Sequence, residues 1–288
     1  MTTISNLYRY PIKSFGGEAI DSAQLNEWGI PGDRSWSLRD SNGTVGAKKF
    51  PQLMSAHARL LEPATDERRS PLTEITLPNE QRFLTSDENA SELLSAFTEQ
   101  PVSLWPLVDA DNLDHYRRAS ANQDISAQDM EAQLRAVFAR QDHEPLPDLS
   151  LFPPGVFEYE TPPGTYFDAF PLLILSVAAL NALSATDADR DFDIRRFRPN
   201  ILVDTAEQGF VENQWIGKEC RIGDAVLHID MACPRCIMTT HPIQSLPKDP
   251  RIMRSLVQHN EGNLGVYASI VRPGRISCGD TLEPMQDQ

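Results

Sequence analysis

The chain opens with short runs in which apolar and polar residues alternate. Ile4, Leu7, Tyr8 and Tyr10 lead into a turn at Pro11, Gly16-Gly17 breaks the chain, and Ala19-Ile20 resumes it. A second turn covers residues 29–32. Trp36 and Leu38 then alternate with Ser35, Ser37 and Arg39, and Ser41-Asn42-Gly43 turns the chain back. Runs of this length and spacing predict antiparallel sheet or a barrel. Residues 86–97 read as a short helix with Leu93, Leu94 and Phe97 on one face.

The second half carries longer apolar runs. Residues 172–175 are continuously apolar, as in a buried strand, and Ser176 fits the N-cap of a helix over 177–185 with Leu180 and Leu183 inward. Ile201-Leu202-Val203 predicts another buried strand. Residues 220–227 and 275–282 each place Gly-Asp between short apolar runs, the signal of a tight β turn. Asp249-Pro250 starts a helix presenting Ile252, Met253, Leu256 and Val257.

Between the halves the chain turns acidic and ends rich in proline, with Pro145, Pro147, Pro153, Pro154, Pro162 and Pro163. Met130, Leu134, Val137 and Phe138 share a helical face there, and Ser126 with Asp129 resembles a capping box. The expected organisation is a β-barrel-like domain over 1–110, a connection with a covering helix over 111–163, and a second barrel over 164–288. The expected class is α+β, rich in β structure with a few short helices.

Composition narrows the functions. The 288 residues are 40% apolar and 23% charged, a globular balance with room for two cores. A net charge of −15 repels polyanions, which argues against nucleic acid and anionic membranes as partners. Any bound anion therefore needs a local basic cluster. The most apolar run, residues 170–185, is too short to span a bilayer. The N-terminus shows no signal-peptide pattern, and four cysteines are too sparse for a disulfide scaffold. The expected setting is a reducing one, the cytoplasm.

No Walker loop, GxGxxG, HExxH or GxSxG motif is present, and the cysteine spacing suits no iron–sulfur cluster. The sharpest feature is Cys233-Pro234-Arg235-Cys236. Such a pair can be a zinc half-site, a redox pair, a soft metal ligand, or two small buried hydrophobes beside a turn. Residues 237–240 after it read as β structure, and His241 as a surface histidine in a loop. Arg195-Arg196-Phe197-Arg198-Pro199-Asn200 puts three arginines in six residues, suited to phosphate or, equally, to a surface turn paired with Asp191 and Asp193. Lys13 and Ser14 end Tyr10-Pro11-Ile12-Lys13-Ser14 at a turn, and Arg34 follows Gly32-Asp33.

In this order, with Phe170-Pro171-Leu172-Leu173-Ile174-Leu175-Ser176 and the closing Gly265-Val266-Tyr267-Ala268, Gly274-Arg275-Ile276 and Gly279-Asp280, these pieces resemble the MOSC-domain family with its N-terminal β-barrel domain. Within that family they are similar to the mitochondrial amidoxime-reducing component and its bacterial counterparts. The resemblance covers about residues 3 to 283. It implies a molybdenum cofactor (molybdopterin), with Cys236 as the metal-binding, catalytic thiolate and Cys233 in a supporting place. It also implies cofactor contacts from Lys13, Ser14, Arg34, Arg198 and Asn200. To these the strand-end-to-helix signal adds Ser176, either as an anion contact or simply as the cap.

The implied activity is reduction of small N-hydroxylated compounds, amidoximes and hydroxylamines. Electrons would come from a separate protein, ferredoxin-like or a b-type cytochrome with its reductase. A cofactor carrier or sulfur-transfer protein using Cys236, without a pyridoxal-phosphate domain, is the alternative. A zinc- or thiol-based structural module is a third. One departure from many relatives is His241-Pro242-Ile243-Gln244 beside the expected metal site.

Overall fold

Seven strands form a closed ring. In order they are Ile201–Thr205, Leu172–Ser176, Asn263–Arg272, Ala225–Pro234, Glu219–Ile222, Thr281–Pro284 and Thr2–Arg9, and the last pairs again with the first. The pair Leu172–Ser176 and Ile201–Thr205 is parallel, and the helix Val177–Thr186 lies in the crossover between them. The other neighbours in the ring are antiparallel. This computed structural model describes residues 1–119, 126–156, 158–187 and 189–285.

The ring closes only because the chain's first residues enter it. Thr2–Arg9 sits between Ile201–Thr205 and Thr281–Pro284, and Glu18–Ile20 pairs on to it. Ser22–Leu25 pairs with Gly274–Ser277. Without the first strand two open edges would face solvent. Ile4, Leu7 and Leu25 share a core with Ile174, Ile201, Leu227 and Val266. The strands Thr2–Arg9, Glu18–Ile20 and Ser22–Leu25 thus pair with one another and with strands of the C-terminal half, while Ile12 and Phe15 between them pack in the N-terminal core.

The rest of the N-terminal half forms two three-stranded sheets. One joins Trp36–Asp40 with Gly43–Val45 and Ser103–Pro106, the other His57–Leu60 with Thr73–Thr76 and Arg82–Leu84. The helix Ala90–Thr98 packs Leu94 into their core with Ile12, Phe15, Leu38, Leu53 and Ile75. Its period-3.6 apolar face is what the sequence pattern predicts.

In the connection, Ser126 Oγ accepts from the Asp129 amide (3.1 Å) and donates to its carboxylate (2.7 Å), starting the helix Ala127–Val137. No residue of that helix is fully buried; Phe138, just after it, is. The helix covers a surface with one edge. Residues 120–125 of the connection lie outside the described residues. The helices Val177–Thr186 and Arg251–Asn260 pack Leu183, Ile252 and Leu256 around Phe197 and Leu175, beneath the arginine run. No helix among the described residues is long and apolar enough to cross a membrane.

Candidate functional site

The barrel strand Ala225–Pro234 delivers the cysteine pair. Its ladder with Asn263–Arg272 slips between Ala232 and Pro234, and proline ends it, since proline has no N–H for the ladder. The Arg235 amide then bonds the Gly262 carbonyl (2.9 Å). Gly262 has φ +81, and a Cβ there would lie 1.9 Å from Arg140 Nη2, so only glycine fits this turn.

Residues 237–240 are not β structure as expected; Ile237–Thr240 is a 3-10 turn with Cys236 at its N-cap. Local hydroxyl bonds explain it. Thr239 Oγ1 donates to Cys236 O (3.0 Å) and Thr240 Oγ1 to Ile237 O (2.7 Å), which overrides the β preference of threonine and isoleucine. The two thiols end in different surroundings. Cys233 is buried and accepts from Arg235 Nη1 (3.0 Å), and burial pushes its pKa up. Cys236 is partly exposed. Among the described residues no three His, Cys, Asp or Glu side chains group as a metal-ion site. A metal at Cys236 therefore needs ligands that a cofactor brings.

The three arginines have three fates. Arg195 pairs with Asp193 at the surface (2.7 Å), as a charge run usually does. Arg196 is 1% exposed and donates to four backbone carbonyls: Asp191 (3.1 Å), Thr239 (3.2 Å), His241 (2.9 Å) and Pro247 (2.8 Å). It ties the cysteine turn to the arginine run. Arg198 is 8% exposed, donates to Phe15 O, and places Cζ 4.3 Å from the Tyr10 ring centroid. It has no carboxylate partner among the ion pairs of the described residues. Burial, then Arg34, lowers its pKa to about 10. A buried guanidinium without a counter-charge costs several kcal/mol, on the order of what a bound anion returns.

Arg34 lies against the same ring, 4.8 Å from its centroid, and pairs with the buried carboxylate of Asp33. Asn200 completes this hub. Its Oδ1 accepts from Arg34 Nη1 (3.2 Å) and the Leu173 amide (3.2 Å), and its Nδ2 donates to Asp33 Oδ2 (3.0 Å) and Tyr8 O (3.3 Å). All four bonds of the amide are made, so Asn200 positions Arg34 and leaves no donor over for a ligand.

Lys13 Nζ pairs with Asp168 Oδ1 at 2.6 Å and donates to Tyr166 O at 3.1 Å. Desolvation works against both charges. For Asp168 it is outweighed by Lys13 and Lys48, which hold its carboxyl well below the usual carboxylate range. Ser14 Oγ accepts from the Ala47 amide (2.9 Å). Ser14 (φ 70°), Arg34 (φ 45°) and Arg198 (φ 56°) all sit in the left-handed region that non-glycine residues avoid. Three such residues in one neighbourhood mark a site where the fold enforces geometry.

Arg34, Arg198, Asn200 and Cys236 line one open cleft of about 590 Å³. Lys13 and Ser14 line an adjoining hollow of about 790 Å³, and both spaces share Asp168 and Met238. Ser176 lines neither. Its Oγ accepts from Ala179 N (3.0 Å) and donates to Glu212 Oε2 (2.5 Å) in the fully buried core. The capping reading holds for Ser176 and the anion reading does not.

His241 is likewise not on the surface: it is 8% exposed, and burial with Lys248 lowers its pKa, leaving it neutral at pH 7. Arg235, Asp168, Phe170 and Tyr267 also line the cleft and were not expected. Arg235, Phe170 and Tyr267 had a signal in their places inside the quoted motifs; Asp168 had none.

The donor set fits a molybdenum cofactor: a partly exposed thiol for a soft metal, and an uncompensated buried cation with further cations beside it for a phosphate. Residues 1–106 match the MOSC N-terminal beta barrel domain and residues 162–283 the MOSC domain. The chain is 26% identical to mitochondrial amidoxime reducing component 2 of Bos taurus, over 98% of this chain and 83% of that protein. It is 27% identical to mitochondrial amidoxime-reducing component 1 of Mus musculus, over 97% and 81%. It is also 20% identical to the molybdenum cofactor sulfurase of Drosophila mojavensis, over 95% of this chain but 34% of that protein. With both domains present in order and the barrel built as described, the chain belongs to the MOSC-domain family that carries the MOSC N-terminal β-barrel domain.

Proposed function

We propose that this chain is a molybdenum-cofactor oxidoreductase that reduces N-hydroxylated compounds, amidoximes and hydroxylamines, with electrons from a separate redox protein. The observation that carries the reading is the cleft that joins the partly exposed Cys236 to Arg198, a buried cation with no ion pair among the described residues. The full-length similarity to proteins named amidoxime-reducing components supports it.

When bound, the cofactor supplies the two-electron chemistry that cleaves an N–O bond. The protein's part is holding and orienting. Cys236 offers a thiolate to the metal. Arg198, Arg34 and Lys13 face the phosphate with charge, and Ser14 closes the turn that carries Lys13. Asn200 and Asp33 fix Arg34. Burial, then Cys233 and Asp168, keep the Tyr267 phenol protonated far above its ordinary range, with its O–H turned to the Cys233 sulfur. Donor protein and compartment, ferredoxin-like or b-type cytochrome in the cytoplasm, belong to the same reading.

The test is metal and pterin analysis after expression in a molybdenum-replete host, followed by hydroxylamine reduction with a reduced dye. The expected result is about one molybdenum and one pterin per chain and turnover that Cys236→Ser abolishes. A Cys236→Ser protein with full activity would overturn the assignment. The similarity to a molybdenum cofactor sulfurase supports a second reading, a cofactor carrier or sulfur-transfer protein. Its mark is a persulfide on Cys236 by mass spectrometry, with no N-reduction by any donor.

A further inference from the structure

Among basic walls the thiol cleft has one carboxylate, Asp168. Its side chain is 64% exposed. Oδ1 accepts from Lys13, and Oδ2 has no protein donor among the described residues. The same residue lines the hollow beside Lys13 and a third one along the proline-rich connection, so Asp168 borders three open spaces. The cleft wall also holds an aromatic pair: the Phe170 and Tyr267 rings stack with centroids 5.1 Å apart and planes 29° apart. Asp168 lines this same cleft and stands two residues before Phe170 in the chain. An ionised carboxylate with a free oxygen beside an aromatic face is the chemistry that recognises a planar N–C–N group: two N–H donors in one plane, with positive charge over a π face.

We propose that Asp168 and the Phe170–Tyr267 wall form an amidine subsite, which selects substrates whose N-hydroxyl group belongs to an amidoxime or hydroxyguanidine. The choice of ligand rests on the reductase reading above. Two electrons and two protons convert an amidoxime to a neutral amidine and water; the strongly basic amidine takes a third proton from solvent, and the resulting amidinium is the cation that Asp168 holds best. The subsite therefore favours amidoximes over hydroxylamines without an N–C–N unit, and it retains their product.

Calorimetric titration of benzamidine and benzamide into the cofactor-loaded protein tests this without turnover, since neither has an N–O bond. Benzamidine is expected to bind about tenfold or more tightly than the neutral amide, the difference made by one hydrogen bond to a charged group. Asp168→Asn should erase that preference, Asp168→Glu should keep part of it, and Tyr267→Leu should weaken benzamidine more than benzamide. Equal binding of the two ligands by the wild type would overturn the proposal, and this comparison needs no variant to fold. Benzamidine binding confined to cofactor-free protein would also overturn it, by showing that the cofactor itself occupies Asp168. Benzamidine bound through Asp168 in a protein that reduces no N-hydroxyl compound would sustain the subsite and sink the reductase reading.

Discussion

Arg196 and Arg198 stand two residues apart, both buried, on opposite terms with their surroundings. Around Arg196 the structure is saturated: four carbonyls from three segments take its protons, and the cysteine turn is held to the arginine run. Around Arg198 it is under-satisfied, with one carbonyl and one aromatic face among the described residues. A saturated buried cation serves the fold. An under-satisfied one lowers the stability of the empty protein and raises its affinity for an anion. The contrast also separates Ser176, capped and bonded in the core, from Cys236, partly exposed at the cleft.

Substitutions can break or sharpen that contrast. Arg196→Met should have the largest effect, a loss of about 3–5 kcal/mol in urea unfolding, because several buried carbonyls lose their donor together. A loss near zero would mean that the carbonyls find other donors and the region is not saturated.

Next comes acid stability through His115, buried and bonded through Nε2 to Tyr166 OH (2.8 Å). Burial, then Arg39, lowers its pKa from 6.5 to about 4. Below pH 6.5 the unfolded chain takes up a proton that the folded one refuses until about pH 4. Stability therefore falls as pH drops through that window, and levels for this group below it. Urea midpoints at pH 7, 6 and 5 should fall less steeply in His115→Asn than in the wild type.

Ser176→Ala should cost about 1–2 kcal/mol, for a lost N-cap and one hydrogen bond lost at the buried Glu212 carboxyl. Arg198→Met should be the smallest for the empty protein, within about 1 kcal/mol of wild type or more stable. Its effect appears instead as loss of molybdenum and pterin on purification. If Arg198→Met destabilises the empty protein as much as Arg196→Met does, the distinction between the two regions fails.

Local pattern made much of this legible. The strands around residues 4–10, 172–175 and 201–203, the helices after Ser176 and Pro250, and the Ser126 cap all follow from periodicity and end signals within a few residues. The candidate residues Lys13, Ser14, Arg34, Arg198, Asn200 and Cys236 could be named because family resemblance supplied what spacing alone left open. The structure brings them to two adjoining spaces. Residues 237–240 misled because β-branched composition competes with threonine hydroxyls that close a 3-10 turn. His241 misled because a polar residue in a loop reads as exposed until the buried Arg196 is seen to bond its carbonyl.

By itself the sequence determined many of the strands and helices, that any anion must be met by a local basic cluster, and that the cysteine pair holds a candidate soft ligand. Those are properties of residue type and short spacing. Tertiary structure alone decided that Thr2–Arg9 closes the C-terminal barrel, that Arg196 meets four backbone carbonyls while Arg198 meets one, and that Asp168 lines three open spaces. Each of these depends on partners up to about two hundred residues away, as Thr3 pairs with Asp204. Whether a charge is satisfied is settled by what packs against it, which no short window of sequence contains.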